Sequence, residues 1–127
     1  MTALARGQLR VLMAVLSLAA VWMVGVVAAQ PAEEEGTASF YGDKLAGKKT
    51  ASGEVYDKKA LTAAHPKYAF GTRLRVTNLA NGKSAVVTVN DRMKRTARGV
   101  IEVTPRVAGL LGFAKTGTAQ VRIEVVK

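Results

Sequence analysis

The sequence contains no cysteine and a single histidine among its 127 residues. The missing thiols exclude a disulfide framework, thiol chemistry and attachment of a lipid through cysteine. One histidine without cysteine leaves too few of the usual ligands for a zinc site, so no metal and no other cofactor is predicted. The hydrophobic core must therefore hold the fold without covalent or metal cross-links.

Acidic residues are also scarce, since 9 Asp and Glu stand against 19 Lys and Arg, for a net charge of +10. Such an excess favours a polyanionic partner. No nucleic-acid-binding motif accompanies it, so nucleic acid is not predicted. Anionic material of the cell envelope is the partner expected of an exported chain, and a basic surface that only aids solubility is the alternative.

Export is indicated by residues 1–29. Two arginines and no acid lie before Val11, and an uncharged run then ends in Val27-Ala28-Ala29. This pattern is typical of a signal peptide cleaved after Ala29. An uncleaved membrane anchor is the alternative, because the run approaches the roughly 20 apolar residues that span a bilayer. The predicted location is the periplasm or cell envelope, with membrane attachment only through an uncleaved segment.

The remaining chain is long enough for one domain. Residues 30–35 are acidic and include Pro31, so they predict a flexible lead-in, and residues 36–127 predict the domain. Arg73–Asn78 and Ser84–Val89 alternate around Asn81-Gly82, which predicts a β-hairpin. The alternation of residues 121–125 predicts a further strand.

One short helix is predicted between the hairpin and the last strand. Thr104 would cap it, Pro105 suits its first turn, and Gly112 would end it. Its inward stripe is predicted to comprise Val107, Leu110 and Leu111. Short strands with many glycines and one helix indicate a mainly β protein that closes into a small barrel.

Polar residues beside glycines and small residues form the candidate site. Glu54 follows a Thr-Ala-Ser-Gly segment of small residues, His65 ends a strand-like segment, and Asp91 follows an apolar strand. Cleavage of a glycosidic bond needs one group that protonates the leaving oxygen and another that stabilises positive charge, and two carboxylates divide these tasks. A histidine tunes or orients such groups near neutral pH. Phe40 and Tyr41 offer either a stacking face for a sugar ring or core residues.

These residues stand in a set of ordered motifs. The motifs are Ala-Ser-Phe-Tyr-Gly at 38–42, Thr-Ala-Ser-Gly-Glu at 50–54, Ala-Leu-Thr-Ala-Ala-His at 60–65, Gly-Thr at 71–72, Leu-Arg-Val-Thr-Asn-Leu at 74–79, Asn-Gly-Lys at 81–83 and Val-Asn-Asp-Arg at 89–92. In these motifs the sequence resembles the rare lipoprotein A (RlpA) type of double-psi β-barrel. The resemblance implies a six-stranded barrel and lytic transglycosylase action on peptidoglycan glycan strands, especially strands stripped of stem peptides.

The same resemblance implies roles for individual residues. Asp91 is expected to act as general acid and then as base for the muramyl 6-hydroxyl, Glu54 to assist charge stabilisation, and His65 to position or tune them. Such a reaction cleaves the bond between N-acetylmuramic acid and N-acetylglucosamine and leaves a 1,6-anhydro ring. The residues expected to contact the glycan are Tyr41, Thr50, Ser52, Asn90, Arg92 and Glu102, with Arg92 suited to a lactyl carboxylate.

The sequence also departs from the RlpA pattern. The usual Gly-Pro-aromatic turn after Arg92 is replaced by Met-Lys-Arg-Thr at 93–96, and the usual Ile-Asp-Leu-Ser reads Ile-Glu-Val-Thr at 101–104. The alternative function is therefore a non-catalytic, expansin-like barrel that binds cell-wall polysaccharide. A basic inhibitor or toxin-like binding protein is a third class.

Overall fold

The predicted hairpin forms as β3 (Arg73–Asn78) and β4 (Ser84–Arg92) in a computed structural model that describes residues 33–95 and 99–127. The other strands are β1 (Glu33–Phe40), β2 (Thr62–His65), β5 (Ile101–Val103) and β6 (Thr118–Val125). They close into a barrel in the order β1-β5-β2-β4-β3-β6. The predicted six-stranded, mainly β barrel is confirmed.

Two strand pairs of the barrel are parallel, β1 with β5 and β2 with β4, and the others are antiparallel. Alternate apolar residues of each strand point inward because successive side chains of a strand lie on opposite faces. The inward residues of β3, for example, are Leu74 and Val76, and both are fully buried. The core is thus filled by short aliphatic side chains, with Phe113 as its largest member.

The predicted helix forms as α1 (Pro105–Leu111). The Thr104 hydroxyl accepts a hydrogen bond from the Val107 N–H, and Gly112 ends the helix with φ of 80°. The prediction that Leu110 points inward is wrong, because Leu110 is 48% exposed while Val107, Ala108 and Leu111 are buried. At about 100° per residue, those three share one face and Leu110 lies beside it.

The barrel begins earlier than the sequence predicts. Residues 33–35, assigned above to a flexible lead-in, are the first residues of β1 and pair with β6. The side chains of Glu33 and Glu35 lie 4.0 and 3.5 Å from the Arg122 guanidinium on β6. Charge pairing across the two strands therefore accommodates acids that have no apolar surface to bury.

The predicted export segment lies outside the described residues. Within residues 33–95 and 99–127, no helix is long and apolar enough to cross a membrane. A 3-10 turn at Asp43–Leu45, which no pattern in the sequence predicts, is the one helical turn besides α1 in these ranges.

A register shift in β4 decides where the polar end of this strand points. Ala63 on β2 pairs with Val89, but Ala64 pairs with Asp91, so Asn90 is an additional residue on β4. Simple alternation from the inward-facing Val89 would turn Asp91 into the core. The bulge instead places Asp91 on the outer face beside Ala64, as bulges near functional sites often re-aim a side chain.

Candidate active site

The Asp91 carboxylate is held by three hydrogen-bond donors. One oxygen, Oδ2, accepts from the Tyr41 hydroxyl at 2.8 Å. The other, Oδ1, accepts from the backbone N–H groups of Ala51 and Arg92, both at 2.9 Å. These donors come from the residue that follows β1, the 50–54 turn and β4 itself. The carboxylate is therefore fixed in orientation by segments that are far apart in sequence.

The 50–54 turn is docked onto the bulge of β4. The Asn90 carbonyl accepts from the Thr50 hydroxyl at 2.7 Å and from the Ser52 N–H at 3.2 Å. Within the turn, the Thr50 and Ser52 hydroxyl oxygens lie 2.9 Å apart. The exposed Glu54 lies at the end of the turn and accepts from the Ser52 hydroxyl at 3.4 Å. Glu54 and Asp91 thus share one surface.

Tyr41 belongs to a small cluster beneath this surface. Its ring is 3% exposed and packs with Tyr56, at a centroid distance of 4.8 Å, and with Ala64. The buried ring has no face on which a sugar can stack, so the expected stacking role is replaced by a hydrogen bond to Asp91. Burial first, and then the hydrogen bond and charge of Asp91, raise the pKa of Tyr41 far above its usual range, so the hydroxyl keeps its proton.

Phe40, the other aromatic residue considered for sugar stacking, packs against the core. Its ring lies 6.1 Å from that of Phe113, and the side chain is partly buried. The alternative that Phe40 is a core residue is therefore confirmed.

Glu102 lies in the same row of the sheet as Asp91. Ala64 pairs with Asp91 on one side and with Glu102 on the other, and Glu102 pairs in turn with Ser39 on β1. Directly paired residues have their side chains on the same face. Partial burial, and then the negative charge of Asp91, raise the pKa of Glu102. The two acids therefore interact across a single alanine.

An open groove of about 680 Å³ runs along this face. Hydroxyl and amide side chains from the outer faces of β1 and β6 line it together with Glu102 and the segments on either side of residues 96–98. The lining residues are Thr37, Ser39, Met93, Lys94, Gly99, Glu102, Thr118 and Gln120. Hydroxyl, amide, carboxylate and ammonium groups beside apolar surface suit a polyhydroxylated polymer.

His65 lies apart from this groove. The ring is fully buried, and its Nδ1 accepts from the backbone N–H groups of Lys67 and Tyr68 at 3.1 and 3.2 Å. Because Nδ1 accepts, the proton must be on Nε2, which donates to Glu34 Oε1 at 2.6 Å. Arg95 donates to the other oxygen of Glu34 at 2.9 Å. His65 therefore connects β2 to β1 as a neutral imidazole.

The guanidinium of Arg92 is already bound by neighbouring groups of the protein. Its Nη1 donates to the carbonyls of His65 and Tyr68 at 3.0 and 2.7 Å, and the group lies 4.5 Å from the centre of the Phe70 ring. These contacts brace the segment that follows β2. Binding of a lactyl carboxylate by Arg92 stays a prediction.

Of the three predicted catalytic residues, the structure brings Glu54 and Asp91 to one surface and places the His65 side chain in the interior. Of the predicted glycan contacts, Thr50, Ser52 and Glu102 surround Asp91, whereas Tyr41 and Asn90 are buried beneath it. In the described ranges, no three His, Asp or Glu residues are grouped as a metal site would need.

Sequence reasoning missed the polar lining of the groove on β1 and β6. Thr37, Ser39, Thr118 and Gln120 alternate with buried residues, and this pattern by itself is typical of any strand with one wet face. Their pairing, Ser39 with Thr118 and Thr37 with Gln120, shows that they form one surface. The small polar residues on the two strands are visible in the sequence. Only the pairing of β1 with β6 shows that they lie side by side.

The buried His65 predicts a loss of stability in acid. Burial lowers the pKa of His65 below its value of 6.5 in the unfolded chain, although Glu34 opposes this shift. Burial alone would raise the pKa of Glu34, but its hydrogen bonds to His65 and Arg95 and the charge of Arg95 lower it. For both groups the unfolded chain binds the proton more tightly, so the free energy of unfolding falls as pH drops.

The His65 contribution is complete above about pH 6.5 and decreases below it, and the Glu34 contribution decreases below about pH 4.5. Urea unfolding at pH 8, 6.5 and 5 measures this dependence. His65→Gln should flatten the change between pH 6.5 and 5. An equal change in the variant and the parent protein would show that another group is responsible.

Comparison with known proteins tests the family resemblance. Residues 33–123 match the protein family described as lytic transglycolase. The chain belongs to this family. It is 49% identical over 89 residues to the endolytic peptidoglycan transglycosylase RlpA of Pseudomonas aeruginosa, and 45% identical over 93 residues to that of Neisseria meningitidis. These alignments cover 70% and 73% of this chain, and the predicted RlpA-like double-psi barrel is confirmed.

The chain spans 26% and 39% of the length of these two curated relatives. Among solved structures, an expansin of Clavibacter michiganensis in complex with cellohexaose is 19% identical with a TM-score of 0.62, over 76% of this chain and 51% of that one. A papain inhibitor of Streptomyces is also 19% identical, with a TM-score of 0.61 over 76% and 96%. At this identity both likenesses concern the fold alone.

Proposed function

We propose that this protein is a peptidoglycan lytic transglycosylase that cleaves the bond between N-acetylmuramic acid and N-acetylglucosamine and leaves 1,6-anhydromuramyl ends. The observation that carries the proposal is the Asp91 carboxylate, which three donors orient in the same row of the sheet as Glu102, a residue that lines the open groove. The curated relatives named endolytic peptidoglycan transglycosylases support the substrate class. The reaction would take place outside the cytoplasmic membrane, where peptidoglycan lies.

An endolytic action is part of this proposal. The groove passes Thr37, Ser39 and Glu102, and a second depression of about 210 Å³ lies beside Gly42 and Pro105. Because β1 and β5 are parallel, both strands lead from the groove past Tyr41 towards that depression. A glycan strand lying along β1 and β5 would therefore extend on both sides of Glu102, as cleavage within a chain requires.

Peptide-free glycan suits the charge of the protein. Removal of stem peptides exposes the lactyl carboxylates of muramic acid, and the chain carries a net charge of +10. Lys94 lines the groove and is exposed. It is the cation that the geometry offers to a carboxylate on a bound strand.

Product analysis tests the proposed function. The exported form, without residues 1–29, is incubated with peptide-free glycan strands, and the products are separated and weighed by mass spectrometry. Anhydromuramyl ends are expected. Hydrated reducing ends would show hydrolysis, and glycan that binds without being cut would support the alternative of an expansin-like wall-binding barrel. The experiment includes this alternative because the sequence at 93–96 departs from the RlpA pattern.

Removal of the Tyr41 hydroxyl is expected to slow the reaction. Tyr41→Phe leaves the buried ring in place but takes one donor from Asp91. A hydrogen bond to a charged group is worth about 1.5–3 kcal/mol. Because the Tyr41 hydroxyl also orients Asp91 in the transition state, turnover is expected to fall by about tenfold to a hundredfold. Release of anhydromuramyl product from peptide-free glycan measures it.

Tyr56→Phe is the matched control for that variant. Within the described part of the chain, the Tyr56 hydroxyl is buried without a hydrogen-bond partner. Its removal should leave turnover close to that of the parent protein. Equal turnover in the two variants would contradict a role for the Tyr41 hydroxyl.

A further inference from the structure

Glu102 is placed at the centre of the groove by strand pairing. It lies in the middle of β5, pairs with Ser39 on β1 and with Ala64 on β2, and lines the groove with Ser39. Ser39 pairs in turn with Thr118, which also lines the groove. A sugar ring on this row would have the Glu102 carboxyl group on its protein side.

Ala64 is the one residue that separates Glu102 from Asp91 in this row. Adjacent strands are about 4.8 Å apart, so two acids on either side of one strand have Cα atoms about 10 Å apart. Ala64 is buried in the cluster with Tyr41 and Tyr56, so that cluster lies between the two acids. The additional methylene of glutamate, relative to the aspartate of the usual RlpA pattern, extends the carboxyl group further from β5 on the face that lines the groove.

The surroundings of Glu102 favour its protonated form. Partial burial and the negative charge of Asp91 on β4 both raise its pKa. Tyr41 and Tyr56 face it from the adjoining cluster and stay neutral, because burial raises the pKa of each. Lys94 lines the same groove, and its positive charge would favour ionisation of a carboxyl group close to it. Asp91, by contrast, accepts three hydrogen bonds from groups that stay protonated.

We infer that Glu102 is the catalytic residue that transfers the proton, and that Asp91 stabilises the developing positive charge. This inference rests on the proposed function and changes the division of roles expected from the sequence. Glu54 is less suited to proton transfer because it is exposed and accepts one weak hydrogen bond within its own turn.

The step balances without water. The Glu102 carboxylic acid gives its proton to the glycosidic oxygen as the bond between muramyl C1 and that oxygen breaks, and the bonding electron pair leaves with the oxygen. The muramyl 6-hydroxyl then attacks C1 and forms the 1,6-anhydro bond. Its proton returns to the Glu102 carboxylate, so the acid is regenerated. Asp91 carries its negative charge beside C1 throughout.

Variants of Glu102 test the inference through turnover, binding and pH dependence together. Glu102→Gln should lower anhydromuramyl release by about a hundredfold or more while glycan still binds, because the amide fills the same space but transfers no proton. Glu102→Asp restores the usual family residue, and its activity should lie between those of the parent protein and Glu102→Gln. The alkaline limb of the pH profile should shift in Glu102→Asp, since that limb reports loss of the proton. Glu124→Gln, a change on β6 away from the groove lining, is the matched control.

Turnover of Glu102→Gln within about threefold of the parent protein would overturn the inference and leave the proposed function standing, provided that the parent forms anhydromuramyl ends. A parent that binds glycan without cutting it would overturn both. Circular dichroism checks folding of each variant. If Glu102→Gln does not fold, the aspartate variant decides, because an alkaline limb unchanged from the parent would contradict proton transfer by residue 102.

Discussion

Asp91→Asn is expected to lower the release of anhydromuramyl products by at least about a hundredfold. The amide keeps the size of the side chain but has no negative charge, and its nitrogen cannot accept from the donors that hold the carboxylate. This loss is expected whether Asp91 transfers the proton, as the sequence suggested, or stabilises charge at the sugar carbon. Rates on peptide-free glycan, with products counted by mass spectrometry, provide the measurement.

Asp57→Asn is the matched control. Asp57 is exposed, and its carboxylate accepts from the Lys59 N–H within its own turn. This variant should retain the rate of the parent protein. An Asp91→Asn protein that folds and cuts glycan as fast as Asp57→Asn would remove Asp91 from the chemistry.

Gly36→Ala is expected to destabilise the barrel by about 1–3 kcal/mol. A Cβ at this position of β1 would lie 2.5 and 2.7 Å from the two γ-methyl groups of Val100, closer than packed carbon atoms approach. Val100 is itself 6% exposed and held through its N–H to the Thr37 carbonyl, so it has little room to move. The free energy of unfolding in urea measures the effect.

Two further variants identify its cause. At Gly42, where φ is −77° and a Cβ would meet no atom within 4 Å, alanine should leave stability unchanged or slightly raised. In the double variant Gly36→Ala with Val100→Ala, the overlapping methyl groups are gone, so the cost of Gly36→Ala should be largely removed. A cost that is the same in the parent protein and in the Val100→Ala background would exclude steric overlap as its origin.

Local patterns predicted the elements that depend on their own residues. The β3–β4 hairpin follows from alternation around Asn81-Gly82, and α1 follows from the Thr104 cap, Pro105 and the Gly112 end. The inward position of Leu110 was wrong because a helix of seven residues presents a narrow face to the barrel. The start of β1 was also missed, since its three acids depend on basic partners that lie on other segments.

The sequence predicted which residues belong to the candidate site better than it predicted how they are arranged. The motifs located Glu54, Asp91 and the Thr50–Ser52 turn, and these do meet on one surface. His65 was expected near them, but its Nε2 bonds to Glu34, 31 positions earlier in the chain. No local pattern indicates a pairing between the first strand and the end of the second.

The sequence by itself determined the mainly β barrel and the ordered motifs from Ala38 to Arg92, because these features depend on residue types at fixed spacings. The tertiary structure decided which side of the barrel carries the candidate chemistry. Simple alternation would bury Asp91 behind Val89, but the additional residue Asn90 turns it outward into the row of Glu102. That outcome depends on how β4 pairs with β2, a contact between segments about 27 residues apart.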